Sequence, residues 1–162
     1  MELHTLFTLE QTRCQLPLQS KKKTLEVMSE MVATQYQTGD SHTIFDALFE
    51  RERLGTTGFG NGVAIPHGRI ADLLQPVVLL FSLQKGIDFD AIDNQPVDIL
   101  IMLLVPDAAA DEHVSLLATI AELLRNQTFL NDIRACRSDR ELFELVQQQT
   151  IALPQRAEAA PT

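Results

Sequence analysis

Apolar residues follow two different spacings along the chain, and the alternation between them predicts both strands and helices. Val77 to Leu83 and Val97 to Val105 are nearly continuous apolar runs, which are typical of strands buried on both faces of a sheet. Elsewhere, apolar residues recur every three or four positions, the spacing of one helix face. The combination predicts a single α/β domain in which helices flank both faces of a mixed, mostly parallel β-sheet.

Four segments have the helical spacing, and residues 11–17 are predicted to form a short strand before the first of them. The second helix is predicted to begin after the Ser-His-Thr segment. Ser20 is the predicted N-cap of the first helix and Gly55 the predicted stop of the second. Asp111 or a neighbour is predicted to start the third, and Ser138 with Glu141 forms a capping box for the fourth. The faces predicted to be buried are Leu25, Met28, Val32 and Tyr36; Ile44, Phe45, Leu48 and Phe49; His113, Leu117, Ile120 and Leu124; and Leu142, Leu145 and Val146.

Length, composition and charge limit the class of protein. A chain of 162 residues, 45% of them apolar, can bury one core, and the predicted domain is residues 1–153. Residues 154–162, rich in Ala, Glu and Pro, have little to bury and are predicted to be disordered. The formal charge of −9 argues against nucleic-acid binding, and the longest basic run, Lys21 to Lys23, is predicted to be a solvated helical turn. No apolar run suits a membrane span or a secretory signal, which predicts a cytoplasmic protein.

The spacing of cysteines, histidines and aspartates predicts no metal site, and no cofactor is expected. Cys14 and Cys136 lack the Cys-x-x-Cys spacing of zinc sites and are predicted to be reduced structural thiols. The four histidines have no His-x-His or His-x-x-x-His spacing, which ranks a metal-dependent hydrolase last among the alternatives. The segment KGIDFDAIDNQP departs from the EF-hand pattern, so we expect a solvated, hairpin-like connection there.

The candidate chemistry is concentrated in Thr56 to Gly68, which reads TTGFGNGVAIPHG. Of the seven glycines in the chain, those at positions 58, 60, 62 and 68 lie in this stretch. Glycine allows positive φ, and successive exposed N–H groups form a concavity that binds anions. Val63 to Pro66 is predicted to form the rigid end of a strand that presents His67, and Gly68 to let the backbone turn away.

A rigidly presented imidazole beside a glycine-rich loop is suited to nucleophilic capture of a phosphoryl group. Neutral histidine is a nucleophile near pH 7, and the phosphohistidine formed carries a dianion that needs hydrogen-bond donors. An ordinary surface histidine after a strand is the alternative, and only the combination of glycine spacing, proline and histidine favours the phosphoacceptor. The predicted phosphate-binding donors are in Thr56, Thr57, Gly58, Gly60, Asn61 and Gly62.

The run from Glu52 to Gly68, ERLGTTGFGNGVAIPHG, resembles the active-site signature of fructose/mannitol-type enzyme IIA domains of the bacterial phosphoenolpyruvate:sugar phosphotransferase system. The matching features are an acidic residue, a six-residue gap, Phe59-Gly60, two free positions and then Val63 to Gly68. The resemblance extends over QSKKKTLEVMSEMVA and FDAIDNQPVDILIMLLVP and covers about residues 5–148. These two segments are most similar to the stand-alone, nitrogen-regulatory branch of the family.

The resemblance implies roles for three side chains. His67 would accept the phosphoryl group on Nε2, Arg51 would contribute to the phosphate pocket, and His113 matches the position of the family's second histidine. From the residues alone, Arg51 could instead complement the helix dipole or pair with an acidic neighbour, with Arg53 as a competitor on another helix face. His113 could likewise be a satisfied core residue.

The resemblance also implies a phosphotransferase that acts as a phosphocarrier. The donor would be the phosphohistidine of an HPr-like protein. With no attached IIB, IIC or HPr segment in the sequence, we expect a regulator whose phosphorylation state is read by other proteins. The alternatives are a sugar-transport enzyme IIA that passes the group to a cysteine of an enzyme IIB, and a binding module of the same fold that does not depend on phosphorylation.

Overall fold

The computed structural model describes residues 2–36, 40–108 and 110–159, which form six strands and five α-helices. The strands are β1 (Thr12–Leu16), β2 (Gly58–Gly60), β3 (Val63–Ala64), β4 (His67–Ile70), β5 (Val77–Ile87) and β6 (Val97–Pro106). The α-helices are α1 (Lys21–Tyr36), α2 (Ser41–Leu54), α3 (Ala110–Leu123), α4 (Gln127–Ala135) and α5 (Asp139–Ala159). Two 3-10 turns, Leu3–Thr5 and Leu9–Gln11, precede β1.

The strands form one mixed sheet in the order β1-β5-β6-β3-β2, with β4 also paired to β6. The pairs β1–β5, β3–β6 and β4–β6 are parallel, whereas β5–β6 and β2–β3 are antiparallel. The predicted mixed, mostly parallel sheet is confirmed. The connection between β5 and β6 joins two antiparallel neighbours, as predicted for a hairpin-like segment.

Helices cover both faces of the sheet because the long strands alternate their side chains between two cores. On β5, Val78 and Leu80 contribute to the core that contains residues of α3, α4 and α5. Leu79 and Phe81 contribute to the core that contains residues of α1 and α2. Burial on both faces explains why β5 and β6 are apolar at nearly every position.

The starts of α1 and α2 show how local caps set the helix boundaries. The Ser20 hydroxyl accepts a hydrogen bond from the N–H of Lys23 at 3.1 Å, as expected of the predicted cap. α2 begins earlier than predicted, at Ser41, because the Asp40 carboxylate accepts from the N–H of Thr43 at 2.9 Å. The Ser-His-Thr segment is therefore helical.

Two side chains lie in environments that differ from the prediction. Lys21 is not solvated, because its ammonium lies 2.8 Å from the Glu52 carboxylate and its side chain is only 22% exposed. Phe49 is not buried; it is 42% exposed and stacks on Phe45 with 5.6 Å between the ring centroids. Of the rest of the predicted α2 face, Ile44 and Leu48 are buried and Phe45 is partly buried.

The last helix extends past the predicted domain boundary. The Ser138 hydroxyl accepts from the N–H of Glu141 at 3.1 Å, which agrees with the predicted cap of α5. α5 continues to Ala159, so the backbone is helical beyond Pro154, where the disordered tail is predicted to begin; residues 160–162 lie outside the described residues. No helix in the described part of the chain is long and apolar enough to cross a membrane.

The strand predicted to end at His67 is interrupted before it. β3 contains only Val63 and Ala64, and β4 begins at His67 and continues beyond it. Both segments pair in parallel with β6. Pro66 lies between them and has no N–H to donate, although its carbonyl accepts from the N–H of Leu103 at 2.9 Å.

Gly68 packs against a helix and does not make the predicted turn. It lies within β4, and a Cβ atom at this position would lie 3.4 Å from atoms of Ala47 in α2. The missing side chain therefore lets α2 lie close to β4. This contact brings the last turns of α2 next to His67.

Enlarging Gly68 tests this packing. We expect Gly68→Val to lower the free energy of unfolding by about 1–3 kcal/mol, because its γ-methyl groups overpack the contact with Ala47. Gly68→Ala is the matched control and is expected to be near neutral, since the added methyl only reaches van der Waals contact and also restricts the unfolded chain. Urea unfolding measures both; equal stability of the valine variant and the wild type would contradict the close contact.

Candidate active site

The His67 ring is held in one orientation and one tautomer by hydrogen bonds on both nitrogens. Nδ1 lies 2.8 Å from the carbonyl oxygen of Ile65, and Nε2 lies 3.0 Å from Nε of Arg51. A carbonyl can only accept and an arginine N–H can only donate. The proton of the neutral ring is therefore on Nδ1, and the lone pair is on Nε2.

Arg51 is positioned by the end of α2. Its Nε–H donates to His67, and its Nη1 donates to the carbonyl of Gly55 at 2.8 Å, just past the last helical residue. Arg53, the competitor expected on another helix face, is 64% exposed at its side chain and pairs with Glu50 at 3.0 Å. The structure therefore places Arg51 at the imidazole and leaves Arg53 on the surface.

His113 lies in the first turn of α3 and contacts the same site. Its ring centroid is 5.4 Å from that of His67, with 57° between the ring planes, and the residue is 8% exposed. Its Nδ1 is buried and has no hydrogen-bond partner among residues 2–36, 40–108 and 110–159. Distant parts of the sequence thus meet, since His67, Arg51 and His113 come from β4, α2 and α3.

These three residues line an open cleft of about 410 Å³. Five further residues of the cleft were not predicted as site residues, and they include Arg69 on β4 and Leu54, which is 86% exposed at the end of α2. The two-residue period of strands could have identified Arg69, because it shares a face with His67. The complete lining is Ala47, Glu50, Arg51, Leu54, His67, Gly68, Arg69 and His113.

Both imidazoles are kept neutral by their surroundings. Burial lowers the pKa of His67; the hydrogen bond to the Ile65 carbonyl opposes this, and the charge of Arg51 adds to it. Burial also lowers the pKa of His113, and the guanidinium groups of Arg69 and Arg51 lower it further. Near neutral pH, His67 therefore presents an unprotonated Nε2.

Several hydroxyls and amides of the glycine-rich loop are bonded within the protein. The Thr56 hydroxyl donates to the carbonyl of Phe89 at 2.9 Å, and both the hydroxyl and the amide of Thr57 donate to Glu52. Asn61 and Gly62 line a different cleft, where the Asn61 amide donates to Asp93 at 3.0 Å. The phosphate-binding role of Thr56, Thr57, Gly58, Gly60, Asn61 and Gly62 stays a prediction, and none of the six lines the cleft that contains His67.

Two glycines of the loop, Gly60 and Gly62, meet the expected requirement for positive φ. Gly60, Asn61 and Gly62 have φ angles of 111°, 59° and 80°, in the left-handed region. A Cβ at Gly62 would also lie 2.5 Å from Nη2 of Arg134. The glycine spacing thus serves the tight β2–β3 turn and its contact with Arg134.

Glu52 forms a buried network beside the cleft that sequence reasoning missed. The residue is 8% exposed, accepts from Thr57 and pairs with Lys21 at 2.8 Å. The Lys21 ammonium also lies 4.8 Å from the centre of the Phe89 ring. The available signal was that Glu52 is the acidic residue of the signature and comes just before the glycine-rich loop in the sequence.

Cys14 and Cys136 are both free thiols. Burial raises the pKa of each, that of Cys136 to about 11, so both are protonated at neutral pH. Cys14 Sγ lies 3.2 Å from the carbonyl of Cys136. Neither residue lines the cleft that contains His67.

Comparison with known proteins identifies the family of the chain. Residues 5–149 match the family model described as "Phosphoenolpyruvate-dependent sugar phosphotransferase system, EIIA 2". The chain belongs to this enzyme IIA family. The resemblance inferred from the signature is thus confirmed, and the matched range agrees with the extent predicted from sequence.

Individual relatives place the chain near the nitrogen-regulatory members of the enzyme IIA family. It is 43% identical over 147 residues to the "Nitrogen regulatory protein" of Klebsiella oxytoca, covering 90% of both chains. The crystal structure of the nitrogen regulatory protein IIA-Ntr from Neisseria meningitidis aligns with a TM-score of 0.83 at 29% identity, covering 89% of this chain and 98% of that one.

A third comparison concerns the fold alone. The Escherichia coli complex of enzyme IIAMTL with phosphorylated enzyme IIBMTL aligns with a TM-score of 0.69 at 18% identity, covering 86% of this chain and 95% of that one. The enzyme IIA domain described here therefore has the fold of a mannitol enzyme IIA.

The lowered pKa of His67 predicts a pH dependence of stability. The unfolded state binds protons near the ordinary imidazole pKa of about 6.5, whereas the folded state resists protonation until lower pH. The free energy of unfolding contributed by His67 is therefore present above about pH 6.5 and decreases as the pH falls below it. Urea unfolding at pH 7.5 and 5.5 should show a smaller decrease in His67→Gln than in the wild type; identical decreases would contradict the shift.

Proposed function

We propose that this enzyme IIA is a histidine phosphocarrier that accepts a phosphoryl group on Nε2 of His67 from the phosphohistidine of an HPr-like protein. The observation that carries the proposal is the tautomer of His67. The Ile65 carbonyl binds Nδ1–H, so the lone pair of Nε2 lies in a cleft that also contains Arg51 and His113. A nucleophilic nitrogen that carries no proton and lies next to a cation suits capture of a phosphoryl dianion, once the arginine N–H has moved from its lone pair.

The transfer step is a displacement at phosphorus. His67 Nε2 forms a bond to phosphorus as the N–P bond of the donor breaks, and the donor imidazole recovers the electron pair. Both nitrogens of His67 are then substituted, Nδ1 by hydrogen and Nε2 by phosphorus, so the ring is positively charged. The Ile65 carbonyl stabilises that charge by accepting the Nδ1–H bond throughout.

Arg51 has two roles in this step. In the unphosphorylated protein its Nε–H occupies the lone pair that must attack, so it has to move from Nε2 before transfer. The same guanidinium has further N–H groups that can then bind the phosphoryl oxygens. Its second bond, to the Gly55 carbonyl, keeps it at the mouth of the cleft while this exchange occurs.

His113 acts as a neutral hydrogen-bond donor to the phosphoryl group and is not itself phosphorylated. Burial and two arginine charges lower its pKa, which favours the neutral ring. A neutral imidazole keeps one N–H to donate to an oxygen of the phosphoryl group. The 5.4 Å between the ring centroids of His113 and His67 leaves room for a phosphoryl oxygen at hydrogen-bond distance from His113.

The regulatory role is proposed from the relatives, since the 43% identical Klebsiella protein is named as a nitrogen regulatory protein. Other proteins would read the phosphorylation state of His67 in that case. The second candidate is transfer to a cysteine of an enzyme IIB, favoured by the fold shared with an enzyme IIA that is in complex with phosphorylated enzyme IIBMTL. Incubating the phosphorylated protein with a IIB domain and following loss of the phosphohistidine separates the two.

Phosphorylation of His67 is tested by intact-mass analysis after incubation with a phosphorylated HPr-like carrier. The wild type should gain one phosphoryl group, and His67→Ala should gain none, because the variant lacks the imidazole whose unprotonated Nε2 faces Arg51 in the cleft. Phosphate uptake by a folded His67→Ala protein would overturn the assignment. An unphosphorylated wild type with a competent carrier would instead favour the binding module.

The planar guanidinium of Arg51 is tested by Arg51→Lys. Lysine keeps the charge but cannot donate to His67 and to phosphoryl oxygens in one plane, so we expect transfer to His67 to slow about tenfold or more. Arg53→Lys is the matched control on the same helix turn and should transfer at the wild-type rate, because the Arg53 side chain is exposed, pairs with Glu50 and does not line the cleft. Quenched-flow measurement of phosphohistidine formation gives both rates. If Arg51→Lys were phosphorylated at the wild-type rate, the role of Arg51 would be limited to capping the end of α2.

A further inference from the structure

We infer that Arg69 is a second phosphoryl-binding arginine of this site, which approaches the group on His67 from strand β4. The inference rests on the proposed function, because it specifies which groups hold the phosphate that His67 receives.

The position of Arg69 follows from strand geometry. His67, Gly68, Arg69 and Ile70 alternate along β4, and the burial alternates with them: Gly68 and Ile70 are buried, His67 is half-buried and Arg69 is exposed. Residues two apart on a strand project from the same face. Arg69 therefore projects beside His67, and it lines the same cleft.

The two arginines reach the site from different elements. Arg51 of α2 donates directly to His67 Nε2. Arg69 of β4 lines the same cleft, and its positive charge lowers the pKa of the His113 imidazole. The cleft thus contains a second guanidinium, separate from the one that bonds to Nε2.

Charge balance calls for a second cation there. A phosphoryl group brings about −1.5 to −2 charges at pH 7, into a protein with a formal charge of −9. His113 is held neutral, and the guanidinium of Arg51 is partly engaged by the Gly55 carbonyl. Glu50, a carboxylate of the cleft rim, pairs with Arg53 and so does not neutralise Arg69.

The alternative is that Arg69 only contacts an acidic group on the donor protein. A small-molecule donor distinguishes the two, because it has no protein surface to dock. Phosphoramidate phosphorylates imidazoles by direct transfer of its phosphoryl group, with ammonia as the leaving group. It therefore yields the phosphorylated wild type and variants without any partner protein.

The experiment uses the full chain treated with phosphoramidate, with ³¹P NMR to follow the rate of phosphohistidine formation and the titration of the phosphoryl group. In Arg69→Gln, loss of the nearby cation should raise the second pKa of the phosphoryl group by about 0.5 pH units and slow its formation roughly fivefold. For Arg69→Lys, both the second pKa and the rate of formation should lie between the values of the wild type and of Arg69→Gln, because lysine keeps the charge but lacks the planar guanidinium. Arg53→Gln should match the wild type in both measurements.

The outcomes of this experiment distinguish a failure of the inference about Arg69 from a failure of the proposed phosphorylation of His67. Unchanged titration and rate in a folded Arg69→Gln, with phosphorylation of the wild type on His67, would overturn the inference about Arg69 and leave the proposed function intact. Absence of a His67 phosphohistidine in the wild type would overturn both. A variant that slows transfer only from a protein carrier would assign Arg69 to docking and also overturn the inference.

Discussion

Glu52 places a carboxylate where only 8% of the residue is exposed, and the local structure is organised around satisfying it. A buried carboxylate is costly to desolvate unless it is paired and hydrogen-bonded. Lys21 of α1 lies 2.8 Å from it, and the amide and hydroxyl of Thr57 donate to it from the loop after α2. α1, the end of α2 and the loop are thus held together at the residue that follows Arg51.

From this carboxylate, hydrogen bonds lead through the backbone to the imidazole of His67. Thr57 N–H donates to Glu52 at 3.2 Å, the Thr57 carbonyl accepts from Ile65 N–H at 3.0 Å, and the Ile65 carbonyl accepts from His67 Nδ1–H at 2.8 Å. Each of these hydrogen bonds holds the residue that forms the next hydrogen bond in the series. The signature acid is therefore connected to the tautomer of His67 without contacting its ring.

The sequence predicted the architecture better than the detailed local geometry. The nearly continuous apolar runs identified both long strands, since such runs indicate burial on both faces of a sheet whatever the details of tertiary packing. The signature located His67, and the family resemblance added Arg51 and His113, which no spacing rule could bring together from three separate elements. The roles of Gly68 and Thr57 were missed because they depend on what lies opposite them in space, Ala47 and Glu52 respectively. Lys21 was missed for the same reason, since a basic run on a helix gives no sign of a buried acid on another helix.

The bond between Arg51 and His67 Nε2 makes the reactivity of this imidazole conditional. A neutral electrophile that enters the cleft meets a lone pair already covered by an N–H group and offers the guanidinium nothing in exchange. A dianionic donor supplies oxygens to which the guanidinium can transfer its hydrogen bond, and so uncovers the nitrogen as it arrives. In the phosphoryl transfer proposed for His67, the charge of the incoming group would thus select the substrate before any bond to the ring is formed.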